Sequence, residues 1–375
     1  MNEDIAVYGP LIEGEEMAAS AESLRRGWLG MGRDVDAFEQ GVTDALGLVD
    51  RQVVAVSTGF AALHVGLLVA GVGEGDEVIV PSLTHLADIQ AIVATGAQPV
   101  LCDVDEATLC IDPEAAAALV GGRTKAIVAL DYGCHLYDDA ALARLAAEHG
   151  LRIVHDAAHA FGSTSAGRRV GTFSDICVFS FDPVKALTAI DAGVLVLSDA
   201  REVRHAREIR LLGSNQPAEV MYMNARTWDY DAVRPGYRYH LSNIHAAIGV
   251  AQLAKLGSIT ANRQRACHVY QQMLKGVDHV RIPDADIDDL NPFLYYVRVA
   301  ADERDGLRAA LAAQGIGTGI HWRPAHHHTM FRRFRRGPLD VTDAAAAELV
   351  TLPLHSSPCE EVAQRVSDAI IGYFR

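Results

Sequence analysis

Ile176-Cys177-Val178-Phe179-Ser180-Phe181-Asp182-Pro183-Val184-Lys185 carries the chain out of an apolar strand into a turn that ends on a lysine. Upstream, Val154-His155-Asp156-Ala157-Ala158-His159-Ala160-Phe161-Gly162 ends a second apolar run on an aspartate. Short apolar runs bounded by turn residues mark strands buried on both faces. Working outward, such runs recur at 53–56, 77–80, 99–102, 126–130, 152–155, 176–179 and 193–197. Alanine- and leucine-rich stretches of helical period separate several of them, at 61–70, 113–120 and 139–149, with Gly150 as the cap of the last. Seven strands alternating with helices predict an α/β fold with a mixed, mostly parallel sheet covered on both faces. Ligands of such sheets bind outside the carboxyl ends of the strands, where Asp156 and residues 180–185 fall.

Pro235-Gly236 interrupts the chain before helical runs at 242–256 and 259–275. A strand at 295–300, a helix at 304–314, a strand at 318–322 and a terminal helix from Glu360 follow. This predicts a large domain over 1–250 and a smaller α+β domain over 251–375.

The chain has 375 residues, 50% of them hydrophobic, enough for a large core and two domains. Its net charge of −15 argues against nucleic acid or an anionic membrane as the main partner. Basic contacts to an anionic substrate would be local, at Arg25-Arg26 or at Arg332-Arg333 with Arg335-Arg336, pairs that equally fit a solvated helix face. Met1-Asn2-Glu3-Asp4 lacks the features of a signal peptide, and the glycine-broken apolar stretch at 63–72 is too short to span a bilayer. Six cysteines, at 102, 110, 134, 177, 267 and 359, show no CxxC spacing, so neither a zinc site nor a disulfide framework is expected. These features predict a reduced, cytoplasmic protein. His321 and His326-His327-His328 stand close in sequence, but adjacent histidines on an extended segment point to alternate sides. No carboxylate stands at ligand spacing, so no metal is expected.

A lysine and an aspartate at two strand ends suit one cofactor chemistry. The lysine can form a Schiff base with pyridoxal phosphate, and the aspartate can hold the pyridine nitrogen protonated. Taken alone, the pair also fits a solvated lysine and a capping aspartate. Ser57-Thr58-Gly59-Phe60-Ala61 adds weight, because it turns from a strand into a helix. The amides of Gly59, Phe60 and Ala61 would face an anion there, aided by the helix dipole.

Over nearly its whole length the chain resembles the DegT/StrS-type sugar aminotransferases, fold-type I enzymes that use pyridoxal phosphate. The likeness rests on Gly27-Trp28-Leu29-Gly30-Met31-Gly32 with Phe38-Glu39, on Gly75-Asp76-Glu77-Val78-Ile79-Val80-Pro81-Ser82 and on Gly96-Ala97-Gln98-Pro99-Val100. It continues through Asp103-Val104-Asp105, Thr124-Lys125-Ala126-Ile127, Asp156-Ala157-Ala158-His159, Phe179-Ser180-Phe181 and Lys185. Asn243, Ala246-Ala247-Ile248-Gly249, Gly315-Ile316-Gly317-Thr318-Gly319 and Leu352-Pro353-Leu354-His355 complete it.

The resemblance implies that Lys185 holds the cofactor and shuttles protons while Asp156 holds the pyridinium. It implies that His159 bonds the 3-oxygen, His85 stacks on the ring, and Ser180 with the amides of Gly59, Phe60 and Ala61 holds the phosphate. It further implies a homodimer and an amino donor, glutamate. The acceptor would be a keto sugar, foremost C4 of a nucleotide-linked 4-keto-6-deoxyhexose, with a 3-keto sugar or cyclitol as the alternative. A sugar dehydratase would carry histidine in place of Lys185, and a regulator without turnover would need a DNA-reading helix that this chain does not show. Three departures stand out. Phe60 replaces a hydroxyl residue, Ala192-Gly193 replaces a glycine pair, and Gly236-Tyr237-Arg238-Tyr239-His240 puts Arg238 where relatives use an asparagine against the neighbouring subunit's phosphate.

Overall fold

The computed structural model describes residues 4–375. Seven strands form the central sheet: β1 Gln52–Val56, β2 Glu77–Pro81, β3 Gln98–Cys102, β4 Thr124–Leu130, β5 Arg152–Asp156, β6 Ile176–Ser180 and β7 Gly193–Leu197. Their order across the sheet is β1-β7-β6-β5-β4-β2-β3. β7 runs antiparallel to both β1 and β6, and every other pairing is parallel. The carboxyl ends of β1, β5 and β6 and the start of β7 therefore share one edge of the sheet.

Alternation along the strands splits the core in two. Val53, Ala55, Ile79, Ile127, Ile153, Cys177 and Phe179 pack on one face. Val54, Val56, Val78, Val128, Val154, Ile176 and Val178 pack on the other. Helices α1 Gly14–Arg26 and α2 Arg33–Leu46 pack against helix Asn243–Ala254. Helices α3 Gly59–Val69 and α4 Leu86–Ala94 pack against each other, with α3 lying on β6 and β7.

Several of the motifs quoted above turn out to touch one another. Asn243 donates to Trp28 O at 2.8 Å and accepts from Asp34 N at 3.2 Å. Gly32 has no room for a side chain beside Asn243 and Asn224, where a Cβ would lie 2.6 and 2.3 Å away. Glu39 accepts from Arg210 at 2.7 Å, from Ala55 N at 2.8 Å and from the Tyr222 hydroxyl at 2.6 Å, tying α2 to the edge strand β1. Buried charges so fully bonded fix geometry more than they add net stability.

A third cluster forms beyond the sheet from Tyr270, Tyr295, Val297, Leu307, Leu311, Val350, Leu352, Val366 and Ile370. It encloses an antiparallel pair, Tyr295–Arg298 with Leu349–Leu352. The strand expected at 318–322 does not form, and only Gly319 bridges to Thr351 there. Gly315, Gly317 and Gly319 weaken a strand at this place. The ladder goes instead to 349–352, which sequence reading had noted only in part, as a motif. The amino-terminal residues join this unit: Ile5 bridges Ile316, and Tyr8–Gly9 runs parallel to Leu354–His355. All six cysteines are free and buried. Among the described residues no helix is long and apolar enough to cross a membrane.

Candidate active site

A cavity of about 530 Å³ opens at the shared sheet edge. It collects Gly59, Phe60, His85, Asp156, His159, Ser180 and Lys185, seven of the nine residues expected at the site. Ala61 and Arg238 do not line it.

Lys185 ends a turn built by Asp182, whose side chain accepts from Val184 N at 3.0 Å and whose carbonyl accepts from Lys185 N at 3.0 Å. The Lys185 ammonium lies 4.1 Å from the centre of the Phe293 ring. Burial pulls it below the usual lysine range, against the pull of Asp156, Asp182 and Asp88, which enlarges the share of nucleophilic free amine. Buried Arg263 braces both walls. It donates to Pro292 O at 2.6 Å and to Phe293 O on one side, and at 3.2 Å to the Ser356 hydroxyl on the other, which donates to Ala186 O at 2.7 Å.

Asp156 closes β5 and accepts from Ala158 N at 2.9 Å. Burial raises its carboxyl, and Lys185 chiefly resists that rise. His159 accepts from Gly133 N at 3.2 Å through Nδ1, so its proton sits on Nε2 and is free to be donated. Burial and then Lys185 hold His159 well below the usual histidine range, so it stays neutral. His85 caps α4 by accepting from Ala87 N at 3.2 Å through Nδ1, which fixes its ring at the cavity wall. It is exposed to the cavity rather than packed in the core. Burial and Lys185 lower its pKa as well.

The anion seat is narrower than the sequence reading. Ala61 N is already taken by the Thr58 hydroxyl at 2.9 Å, because capping competes for the same donor. The amides of Gly59 and Phe60 have no acceptor among the described residues. Beside them lies Ser180, so close that a Cβ on Gly59 would sit 2.7 Å from Ser180 Cβ. Gly193 is equally constrained, since its Cβ would meet Thr58 O at 2.2 Å, whereas Ala192 is accommodated in the core. Two free amides and a hydroxyl at a helix start suit a phosphate. A lysine and an acid deeper in the same cavity suit the ring, so the residues fit pyridoxal phosphate.

Sequence reading did not place Tyr8, Phe293, His321 or Trp322 here. Tyr8 stacks on Phe293 at 5.2 Å and shares a 2.7 Å hydrogen bond with His321 Nε2. His321 Nδ1 meets the Thr351 hydroxyl at 2.8 Å, and burial pulls His321 down to about 4. Trp322 stacks on His159 at 5.2 Å and meets His85 edge-on at 5.9 Å. The wall is thus aromatic and uncharged at neutral pH.

Outside the cavity, Asp343 comes within 3.0 Å of Nε2 of both His326 and His327. Sequence reading saw no carboxylate at ligand spacing because this one arrives from a separate helix, Asp340–Glu348. His326 is also held by Ser82 at 2.8 Å, and the group satisfies its own hydrogen bonds.

A sequence profile of the DegT/DnrJ/EryC1/StrS aminotransferase family matches residues 10–371. The aminotransferase TlmJ from Streptoalloteichus hindustanus is similar at 33% identity, with 99% of this chain and 98% of that one covered and a TM-score of 0.91. DesV from S. venezuelae, solved with a ketimine intermediate, is similar at 30% identity, with 100% and 99% covered and a TM-score of 0.90. The putative sugar aminotransferase Spr1654 from Streptococcus pneumoniae, solved in a PLP form, is similar at 25% identity, with 98% and 99% covered and a TM-score of 0.85. The chain therefore belongs to the DegT/DnrJ/EryC1/StrS family and is a PLP-dependent sugar aminotransferase.

Proposed function

We propose that the enzyme moves an amino group from an amino acid, glutamate, to C4 of a nucleotide-linked 4-keto-6-deoxyhexose. The observation that carries this reading is the single cavity in which Lys185 and Asp156 face a neutral wall of Tyr8, Phe293, His321 and Trp322. Bound pyridoxal phosphate supplies an electron sink for the carbon that loses or gains the amine. Gly59, Phe60 and Ser180 hold its phosphate, Asp156 pairs with its ring nitrogen, and His159 donates from Nε2. His85 covers the ring. Lys185 Nζ takes and returns protons, and its lowered pKa suits both directions. The aromatic wall suits a sugar face, and its hydroxyl and imidazole groups suit ring hydroxyls. Outside Trp322, Arg323 and Arg332 both donate to His327 O, at 2.8 and 3.5 Å, and offer exposed positive charge to a diphosphate.

A panel of 3-keto and 4-keto nucleotide sugars, added to the amine-loaded enzyme, tests the assignment through the change in cofactor absorbance. The 4-keto sugars should discharge the amine at least about tenfold faster, the scale on which a misplaced reacting group counts. Faster discharge by the 3-keto sugars would overturn the C4 assignment.

The enzyme is further proposed to be a cytoplasmic homodimer divided near residue 250, with Arg238 acting on the neighbouring site. Tyr237 and Tyr239 stack at 5.0 Å, both packing against His64 on α3. Alternation turns Arg238 away from them, exposed and without an acid partner among the described residues. The backbone there is anchored at the anion seat, because Ser57 N donates to Tyr239 O at 2.6 Å. Leu212, Trp228, Tyr230 and Val233 expose apolar surface in the same stretch. Arg238→Ala should weaken cofactor or substrate binding by roughly 1.5–3 kcal/mol, the range for charged hydrogen bonds. Mixing Lys185→Ala with Arg238→Ala subunits should restore part of the activity. Verified heterodimers without recovery would place Arg238 outside the neighbouring site.

A further inference from the structure

Tyr8, His321 and Thr351 form a chain of hydrogen bonds that ends at the cavity. Tyr8 comes from the two-residue strand Tyr8–Gly9, which pairs in parallel with Leu354–His355. Thr351 lies in the strand Leu349–Leu352 and is fully buried. His321 stands between them, with Nε2 2.7 Å from the Tyr8 hydroxyl and Nδ1 2.8 Å from the Thr351 hydroxyl. The Tyr132 hydroxyl donates to His321 O and holds the backbone at this point. Tyr8 and His321 line the cavity, whereas Thr351 does not.

The direction of the chain follows from counting hydrogens. Burial keeps the His321 ring neutral, so one nitrogen donates and the other accepts. Were Nδ1 the donor, the Thr351 hydrogen would be left without an acceptor among the described residues, in a position closed to water. A buried donor left unpaired costs more than a hydrogen bond returns. The Thr351 hydroxyl therefore donates to Nδ1, while Nε2 carries the ring proton and donates to the Tyr8 oxygen. The one hydrogen left over belongs to Tyr8, whose hydroxyl has no other partner among the described residues. It falls at the cavity end of the chain, where a bound molecule can accept it. Burial raises the Tyr8 hydroxyl above the usual tyrosine range, so it keeps that hydrogen.

We propose that Tyr8 is a specificity-determining residue whose free O–H donates to an oxygen of the sugar acceptor, so that it serves the sugar half-reaction and not the amino-acid one. The proposal deepens the reading of this wall given above and rests on it. The hydroxyl stands close to the chemistry: Tyr8 stacks on Phe293 at 5.2 Å, and the Lys185 ammonium lies 4.1 Å from the centre of that same ring. A neutral donor suits the hydroxyl, ring or keto oxygens of a sugar. The carboxylates of an amino donor are held best by charged donors, and no arginine lines this cavity. A site built to bond one polar group also rejects an analogue that lacks it, because its own donor is then left unpaired.

Tyr8→Phe keeps the ring on Phe293 and removes only the O–H. Cofactor absorbance reports the two halves separately, as glutamate loads the amine and as a keto sugar discharges it. Sugar discharge, measured as rate per unit concentration, should fall about three- to tenfold, the fold-change of one neutral hydrogen bond. Loading by glutamate should stay within about twofold. Equal losses in both halves would mark Tyr8 as merely structural, and a loss confined to loading, or none in either half, would equally overturn the proposal. Nitrogen NMR of protein labelled in histidine gives a readout that does not depend on turnover. The His321 ring, assigned by its loss in His321→Gln, should carry its proton on Nε2, and a proton on Nδ1 would overturn the donor chain. The two halves are compared with whichever keto sugar discharges the parent fastest. A preference for 3-keto sugars would then remove the C4 reading, while the ratio between the halves still decides the role of Tyr8.

Discussion

Lys185→Ala is expected to lose turnover by at least about a thousandfold while still binding the cofactor. The size follows from losing a nucleophile and a proton carrier in one change. Nothing else in the cavity replaces it: His85, His159 and His321 are all pulled toward the neutral form, and His159 and His321 are each committed to hydrogen bonds of their own. Cofactor retention follows because Gly59 and Phe60 open α3 and Ser180 ends β6, apart from the turn that Asp182 builds around Lys185. Steady-state turnover and cofactor absorbance of the purified variant check both halves. Turnover within tenfold of the parent would show that another group does this work.

Asp156→Asn is expected to keep the cofactor and lose turnover by at least about a hundredfold, the scale of one preorganised electrostatic partner. The amide preserves the shape of the side chain, and its oxygen can still accept from Ala158 N, so the strand end should hold. What disappears is a negative charge in a buried site, where charge acts with little screening. Titrating the visible absorbance of bound cofactor should show a ring nitrogen that gives up its proton at lower pH than in the parent. An unchanged titration with near-normal turnover would contradict the pairing.

Much of this site was legible in the sequence because strand ends are legible. The strand-like runs at 152–156 and 176–180 end on Asp156 and Ser180, so these polar groups stand where the chain leaves the sheet. Gly59 was legible for a related reason, as the turn from β1 into α3. The seat around it was read one donor too wide, because Thr58 both starts the helix and consumes the Ala61 amide.

The opposite wall was not legible. Tyr8 reaches His321 across 313 positions of sequence, through a two-residue strand that carries no periodic signal. His321 and Trp322 lie at the end of a stretch expected to form a strand, but the three glycines before them weaken it, and both residues line the cavity instead.

The chain contains four lysines, and the three besides Lys185 stand elsewhere: Lys125 and Lys275 are exposed, and Lys255 is engaged by Glu13, Glu15 and Glu16. Borohydride reduction of the holoenzyme followed by peptide mass mapping therefore tests the central claim directly. The account predicts the cofactor mass fixed on the peptide containing Lys185, with no fixed label in Lys185→Ala. Label on Lys125, Lys255 or Lys275, or a holoenzyme that borohydride leaves unlabelled, would contradict it.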